Sequence, residues 1–457
     1  MNKTQLRLPI DELPVQPPEP SAWRPIHYLG SKLRLIEPLR MAIDQIDPNR
    51  GPVCDLFAGS GTVSAALASS RNVIAVDIQE YSRVLCSAIL QPIGCNNIDA
   101  RSFIGSALGS DHRERLGIAE HVIEFEQACL SEARKGNPEP ICDLIEHASI
   151  VTSSSTPIHP SLAKAHKTTL ERLAACQRDR SHETFVFRHF GGLYFSYQQA
   201  IELDSLLIAA HSERPELRDC LLAAIISSAS EIVNTVGKHF AQPIRPRGSD
   251  GKPKRHLIGK ILRDRELDLV SVFSTWLDRY RSLPKTQRNH RVICGDYVDA
   301  LAKIDGRLGV VYADPPYTRD HYSRFYHVLE TMCLWDEPRV STTRIRSEGE
   351  KFSRGMYRVE RHQSPFCIKS QAPSAFERLF AAVRDIQAPL VLSYSPYAAD
   401  TKARPRVMTV EQISSTARRY FNRVEVASAG RFSHMKLNTT RLNTEASLDA
   451  ELIFLCS

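Results

Sequence analysis

The sequence predicts an α/β protein, a parallel sheet with helices on both faces, into which a large and mainly helical insertion is set. Three observations carry this. Between Trp23 and about Ala100 short apolar runs alternate with helix-length ones; from Arg101 to about Asn289 long amphipathic stretches replace that rhythm; from His290 onward it returns.

Taken in order, residues 1–22 are polar and proline-rich and are expected to form a disordered tail. Residues 23–100 make the first part of a core, in which "PVCDLFAG" reads as a strand, "GTVSAALASS" as a helix, "NVIAVDIQ" as a strand and "YSRVLCSAIL" as a helix. This is the repeat of parallel strands joined by helical crossovers. Residues 101–289 form the insertion, with "ERLGIAEHVIEFEQACLSEARK" and "SYQQAIELDSLLIAAH" as amphipathic helices. Residues 290–457 return to the core through "RVICGDYVDAL", "RLGVVYADPPY", "APLVLSYSP", "NRVEVASAG" and "DAELIFLCS". One sheet is thus divided along the chain by the helical block. No internal repeat is visible.

At 457 residues the chain is too long for one simple core, and its 42% hydrophobic and 24% charged residues are ordinary for a globular protein. Its most apolar stretches, "LLIAAH" and "LLAAIISSAS", are too short to cross a bilayer, and no apolar signal core follows the N-terminal basic residues. A cytoplasmic location without a membrane partner is expected. The 11 cysteines show no Cys-x-x-Cys and no Cys/His pairing at zinc spacing, so most are expected to be small buried thiols and no metal is called for. A net charge of +7 and a pI near 8.8 suit a polyanionic partner without requiring one.

In "VVYADPPYTRDHYSRFYH" an apolar strand runs into Asp314, Pro315, Pro316 and Tyr317. Proline fixes φ and lacks an N–H, so the strand must end there in a stiff turn that presents one carboxylate, backbone carbonyls and one aromatic face. Alone, such a turn fits a structural role as well as a chemical one. A second signal stands at "DLFAGSGT", where Gly59 and Gly61 let the backbone approach a ligand between a strand and a helix. Asp77 ends the next strand, where an acid can accept hydrogen bonds from ribose hydroxyls. The pattern points to a nucleoside cofactor. Ser64 takes the place of the third glycine of the dinucleotide fingerprint, which argues against nicotinamide or flavin.

Together "HYLGSKLRLIEPL", "DLFAGSGT" and "DPPY" resemble, in that order, the Dam-like (D12 class, alpha-group) S-adenosylmethionine-dependent adenine-N6 DNA methyltransferases. The resemblance covers about Arg24 to Ala100 and Arg291 to Ser457; the middle matches in position and helical character. It implies a Rossmann-like class I methyltransferase sheet, a helical target-recognition insertion, S-adenosylmethionine as cofactor and duplex DNA with a flipped adenine as partner. It admits a cognate restriction endonuclease as a further partner. It also implies that Tyr28 and Lys32 border the methionine end of the cofactor, with Lys32 near its carboxylate or supporting the catalytic loop. Phe57, Gly59 and Gly61 would form the cofactor floor, Asp55 meet the methionine amino group and Asp77 hold the ribose. Asp296 and Tyr297 occupy the place of the family's Asp-Phe pair beside the cofactor adenine, although for Asp296 a strand-end turn fits equally.

The exocyclic amine of adenine is a poor nucleophile because its lone pair is delocalised into the ring. By the resemblance, Asp314 and the Pro315 carbonyl would accept its two hydrogens, Pro315 and Pro316 would fix that geometry, and Tyr317 would stack on the flipped base. Arg319 and Tyr322, just beyond, are candidates for contacts flanking the base, whereas Phe325, Val328 and Leu329 read as the buried face of the next helix. A basic run holds Lys238, Arg245, Arg247, Lys252, Lys254, Arg255 and Lys260 in a proline- and glycine-rich context. It fits a solvated loop or one laid along a DNA backbone. Three rivals stay open: an RNA amino-methyltransferase, a non-catalytic nucleic-acid-binding relative, and a cytosine-N4 enzyme, which typically carries Ser-Pro-Pro-Tyr.

Overall fold

The computed structural model describes residues 23–92, 94–152, 159–178, 181–284, 287–345, 349–395, 406–428 and 451–457; the tail expected over residues 1–22 lies outside them. The chain divides into two compact units. The first is drawn from Met1–Gln91, Pro284–Ser323 and His362–Ser457, the second from Pro92–Leu283 and Arg324–Arg361. The sequence places one insertion at 101–289, but the chain enters the second unit twice. The reason lies in the helix His327–Leu334, which buries His327, Val328, Leu329, Thr331, Met332 and Cys333 and packs on the helix Pro215–Ile232.

The strands are β1 (Val53–Asp55), β2 (Val73–Asp77), β3 (Arg291–Cys294), β4 (Val310–Ala313), β5 (Thr342–Ile345), β6 (Gly349–Phe352), β7 (Leu390–Tyr394), β8 (Val424–Ser428) and β9 (Leu452–Cys456). Seven of them form the sheet of the first unit in the order β3-β2-β1-β4-β7-β9-β8, while β5 and β6 pair as a hairpin in the second. This is the α/β sheet expected, divided along the chain as expected. Val53 of β1 faces both Val73 and Val310 in parallel register. The departure from a purely parallel sheet is β9, antiparallel to both β7 and β8.

Alternation along each strand sends side chains to opposite faces and creates two core layers. Val53, Val73, Ala75, Val310, Tyr312, Val391, Ile453 and Leu455 face the layer shared with the helix Ile36–Ile46. Cys54, Ile74, Val76, Val311, Ala313, Leu390, Leu392 and Phe454 face the other, under the helix Ala372–Asp385. Buried Arg71 ties the first layer's helix to the sheet, reaching Asp47 at 2.5 Å and Asp44 at 2.7 Å.

The second unit contains the long helices expected, among them Ser110–Arg134 and Tyr197–Ser212, the latter opened by a capping box between Ser196 and Gln199. Buried Arg265 pairs with Glu126 inside it. Cys95 and Cys220 are joined as a disulfide, which nothing in the spacing indicates. Most of the other cysteines are buried free thiols, as expected. Among the described residues no helix is long and apolar enough to cross a membrane.

Candidate active site

The sheet brings the first unit's motifs together at the carboxyl ends of β1, β2, β3 and β4, where loops leave a parallel sheet and ligands commonly bind. They line a cleft of about 870 Å³, counted with its open mouth. Tyr28, Phe57, Asp77, Asp296, Tyr297, Asp314, Pro315, Pro316, Tyr317 and Tyr322 all line it.

After β1 the chain turns through Phe57 to Gly61. Gly59 has φ +55°, and a Cβ there would stand 2.6 Å from the Tyr28 hydroxyl, so only glycine lets the turn and Tyr28 coexist. Gly61, at φ +74°, opens the helix Thr62–Ala68. The Gly59 N–H donates to Asp77 Oδ2 at 2.9 Å, and the Gln79 N–H donates to Oδ1 at 2.9 Å. Asp77 thus fixes the glycine turn from the tip of β2. Burial pushes its carboxyl above the usual range, against these hydrogen bonds. If Asp77 also holds a nucleoside, Asp77→Ala is expected to weaken cofactor binding by about 1–3 kcal/mol, the scale of a missing charged hydrogen bond. Calorimetry checks this, and unchanged affinity would remove Asp77 from the site.

Asp55 ends β1 beneath this turn and is 1% exposed. Ser64, at the place of the missing third glycine, donates to its Oδ2 at 2.7 Å, while Oδ1 is buried without a hydrogen-bond partner. Burial, with Asp314 and Asp77 nearby, pushes this carboxyl up to about 7. An acceptor lacking its donor is what an amino group would satisfy.

Asp296 caps the helix Tyr297–Ala302, accepting from Val298 N–H at 2.9 Å, so its turn role is present in a residue that also lines the cleft. The Tyr297 hydroxyl donates to Ala375 O at 3.2 Å, which accounts for tyrosine where the family has phenylalanine. Its ring packs with Phe57 and Phe366, and Phe57 meets Phe366 edge-on at 5.4 Å. Phe366 and His362, both lining the cleft, are invisible as site residues in the sequence.

Asp314 follows β4 directly. Lys32, only 6% exposed, stands between two carboxylates, with Nζ 3.0 Å from Asp314 Oδ1 and 2.6 Å from Glu451 Oε1. Burial alone would lower the Lys32 pKa, but Asp314 and Glu451 hold it well above the ordinary value. For Asp314, burial is the larger influence and lifts the carboxyl to about 6, with Lys32 opposing and Glu451 reinforcing. Of the two places the resemblance allows Lys32, the geometry has it beneath the Asp314–Tyr317 loop. Glu451, immediately before β9, carries no signal in the sequence that marks it as a site residue. The Tyr317 ring has Lys32 Nζ 5.3 Å from its centre, Arg406 Cζ at 4.7 Å and the Tyr394 ring at 5.5 Å.

The described cleft lining carries three carboxylates, from Asp77, Asp296 and Asp314, and no lysine or arginine. Such a field favours a cationic ligand and holds a neutral one less firmly. A sulfonium cofactor fits this charge, the orphaned acceptor of Asp55 and the Asp77 carboxylate.

Arg319 is exposed outside the cleft, whereas Tyr322, which lines it, lies 5.7 Å from Tyr28 ring to ring. In the second unit the basic run is a hairpin-like loop only as far as Lys254, with Arg247 bridged to Pro253; Arg255 and Lys260, expected in a loop, lie on the helix Arg255–Glu266. Three of its cations correct the picture of a uniformly available charge run. Arg247 is held by Glu139, by Asp143 at 2.5 Å and by Glu146 at 3.2 Å, and Lys238 pairs with Asp264 at 3.2 Å. Lys260 also reaches Asp264, at 2.6 Å, and Lys254 donates to Arg245 O at 3.1 Å. Arg245, Lys252 and Arg255 are exposed, with no ion pair to a described residue.

A mixed sheet of this order, with a glycine turn, a strand-end acid and an Asp-Pro-Pro-Tyr loop opening on one cleft, is consistent with the methyltransferase fold. The model of the D12 class N6 adenine-specific DNA methyltransferase family matches residues 28–114 and 273–374 of the chain. S-adenosylmethionine is that family's methyl donor. The chain is 21% identical over 406 residues to modification methylase LlaI of Lactococcus lactis subsp. lactis, covering 86% of this chain and 49% of that protein. It is 21% identical over 364 residues to type II methyltransferase M.FokI of Planomicrobium okeanokoites, covering 78% of this chain and 42% of that protein. The chain therefore spans about half the length, or less, of these curated relatives.

Proposed function

We propose that the chain is a site-specific DNA methyltransferase that moves a methyl group from S-adenosylmethionine to N6 of an adenine flipped out of a duplex. The observation that carries this reading is Asp314, placed at the end of β4 in the same cleft as Asp77 and electrostatically tied to Lys32. Bound S-adenosylmethionine supplies an electrophilic methyl on a positively charged sulfur. Asp314 and the Pro315 carbonyl accept the amine hydrogens and direct its lone pair outward, and the prolines hold these acceptors before the base arrives. The new N–C bond would form as the methyl–sulfur bond breaks and leaves a neutral thioether, and the proton the nitrogen then sheds would pass to the Asp314 carboxylate beside it or to water. Tyr317 offers its ring to the base.

The family match favours adenine and DNA over the RNA and cytosine readings, and the intact Asp314 favours catalysis over mere binding. Incubation with labelled cofactor and either duplex DNA or RNA, followed by identification of the methylated nucleoside, tests the proposal. N6-methyladenine in DNA is the expected product; no labelled nucleoside, or label in RNA alone, would refute it. We further propose that the second unit reads the target and that the loop at Lys252, Lys254 and Arg255 lies on phosphates. Neutralising the three is expected to weaken binding to all sequences and reduce the salt slope by nearly one for each phosphate left without its cation. A wild-type slope would leave the loop merely solvated.

A further inference from the structure

We infer that Arg245, Arg324, Arg354 and Arg361, gathered around Tyr357 in the second unit, form a clamp for the phosphodiester backbone of duplex DNA. This rests on the reading of DNA as substrate and assigns a surface that the basic run does not include, apart from Arg245.

The cluster is built on a fixed aromatic centre. The Tyr357 hydroxyl donates to Ala241 O, and its ring meets His327 edge-on at 5.1 Å. Below it, the Tyr194 hydroxyl lies 2.7 Å from Phe240 O and 3.2 Å from Gly355 O. Around this centre, Arg324 Cζ lies 5.8 Å and Arg361 Cζ 5.7 Å from the Tyr357 ring centre. Arg354 donates to Ile244 O at 2.8 Å, beside Arg245. Partial desolvation, and after it the neighbouring Arg245, hold the Arg354 pKa below its ordinary value against the opposing pull of Glu146, Tyr194 and Tyr357.

What separates these four from Arg247, Arg265 and Arg358 is neutralisation. Arg247 has three carboxylates, Arg265 has Glu126, and Arg358, in the same segment as Tyr357, reaches Asp336 at 2.7 Å. None of the four forms an ion pair with a described residue, and the Nε atoms of Arg324 and Arg361 are buried without an acceptor. Like charges held together repel, and a protein keeps them so where an anion completes the site. Arg354 and Arg245 are exposed and Arg324 and Arg361 half-buried, a graded wall open to an extended polyanion. Guanidinium groups suit phosphate through paired N–H donors. In sequence, Arg324 and Arg361 mark the two ends of the chain's second passage through this unit.

The test is the salt dependence of binding to a short fluorescent duplex, for wild type and for the triple variant Arg324→Gln, Arg354→Gln, Arg361→Gln. The log–log slope is expected to fall by about 2–3, near 0.9 for each phosphate released. The triple lysine variant should keep most of the slope, and the single exposed change Arg354→Gln should reduce it by about one unit while disturbing the fold least. Cofactor affinity, measured separately by calorimetry, is expected to stay unchanged. Wild-type slopes in both the triple and the single glutamine variants would overturn the clamp. So would displacement of the duplex by inorganic phosphate at an equal phosphate concentration, which would indicate a small-anion site. A slope change in a protein that methylates nothing would leave the clamp standing and refute the proposed activity.

Discussion

Asp314→Ala is expected to abolish methyl transfer while leaving the fold and cofactor affinity nearly intact. The carboxylate's hydrogen bond to the amine strengthens as positive charge develops on nitrogen, so its removal falls on the barrier rather than on binding. Removing one such preorganised partner costs on the order of a hundred-fold to a thousand-fold in rate. The fold should survive because Lys32 keeps its second partner, Glu451, at 2.6 Å. Asp314→Asn is expected to fail as well, since its amide can present an N–H toward the amine. Tyr317→Ala should differ in kind, weakening capture of the flipped base together with the rate, because stacking also stabilises the bound ground state. Single-turnover assays on methylatable duplex check each case; a wild-type rate for Asp314→Ala would defeat the mechanism.

The second large effect concerns pH. Asp314 must be ionised to accept from the amine, and its carboxyl stands at about 6, so the rate is expected to fall as pH drops through that value. Its two neighbours act with opposite sign. Lys32 favours the carboxylate, so Lys32→Met should move the acid limb to higher pH; each unit by which it passes the assay pH costs about tenfold in rate. Glu451 favours the protonated acid, so Glu451→Gln should move the limb to lower pH. Lys32→Met also leaves two buried carboxylates without their cation, and breaking such a pair costs about 3–5 kcal/mol of stability. A purely structural role for Glu451 would change the melting temperature and leave the limb at its wild-type pH.

Most of the cleft is legible in the sequence because its residues sit in short turns at strand ends, where local sequence dictates both the turn and the direction of the side chain. Phe57, Asp77, Asp296 and the Asp314–Tyr317 turn are of this kind. What is not legible depends on pairing across long distances. Glu451 is one acid before an apolar strand, and only the placement of β9 between β7 and β8 accompanies its approach to Lys32. Arg406 reaches Tyr317 in the same way. The basic run teaches the converse. Arg247 and Lys252 look alike in sequence, but the helix Glu139–His147 brings Glu139, Asp143 and Glu146 to one and not to the other. The second passage of the chain through the helical unit leaves no mark in the sequence because the helix at His327 follows the catalytic turn without a break in composition.

The pairing of β1 with β4 and the interior position of β9 bear on how this molecule is made. Val53 must wait for Val310 before its strand has both neighbours, and the sheet's far side cannot close until Leu452–Cys456 is available. Pairings of such long sequence separation form slowly, since the intervening chain loses entropy before any favourable interaction compensates it. During synthesis, residues 92–283 emerge before β3 and β4, so the helical unit can begin to organise while the sheet's apolar strands still lack partners. Glu451 arrives with the closing strand. The field that sets the ionisation of Asp314 is therefore completed only once β9 has joined the sheet, and a nascent chain holding the Asp-Pro-Pro-Tyr turn but not β9 would lack it.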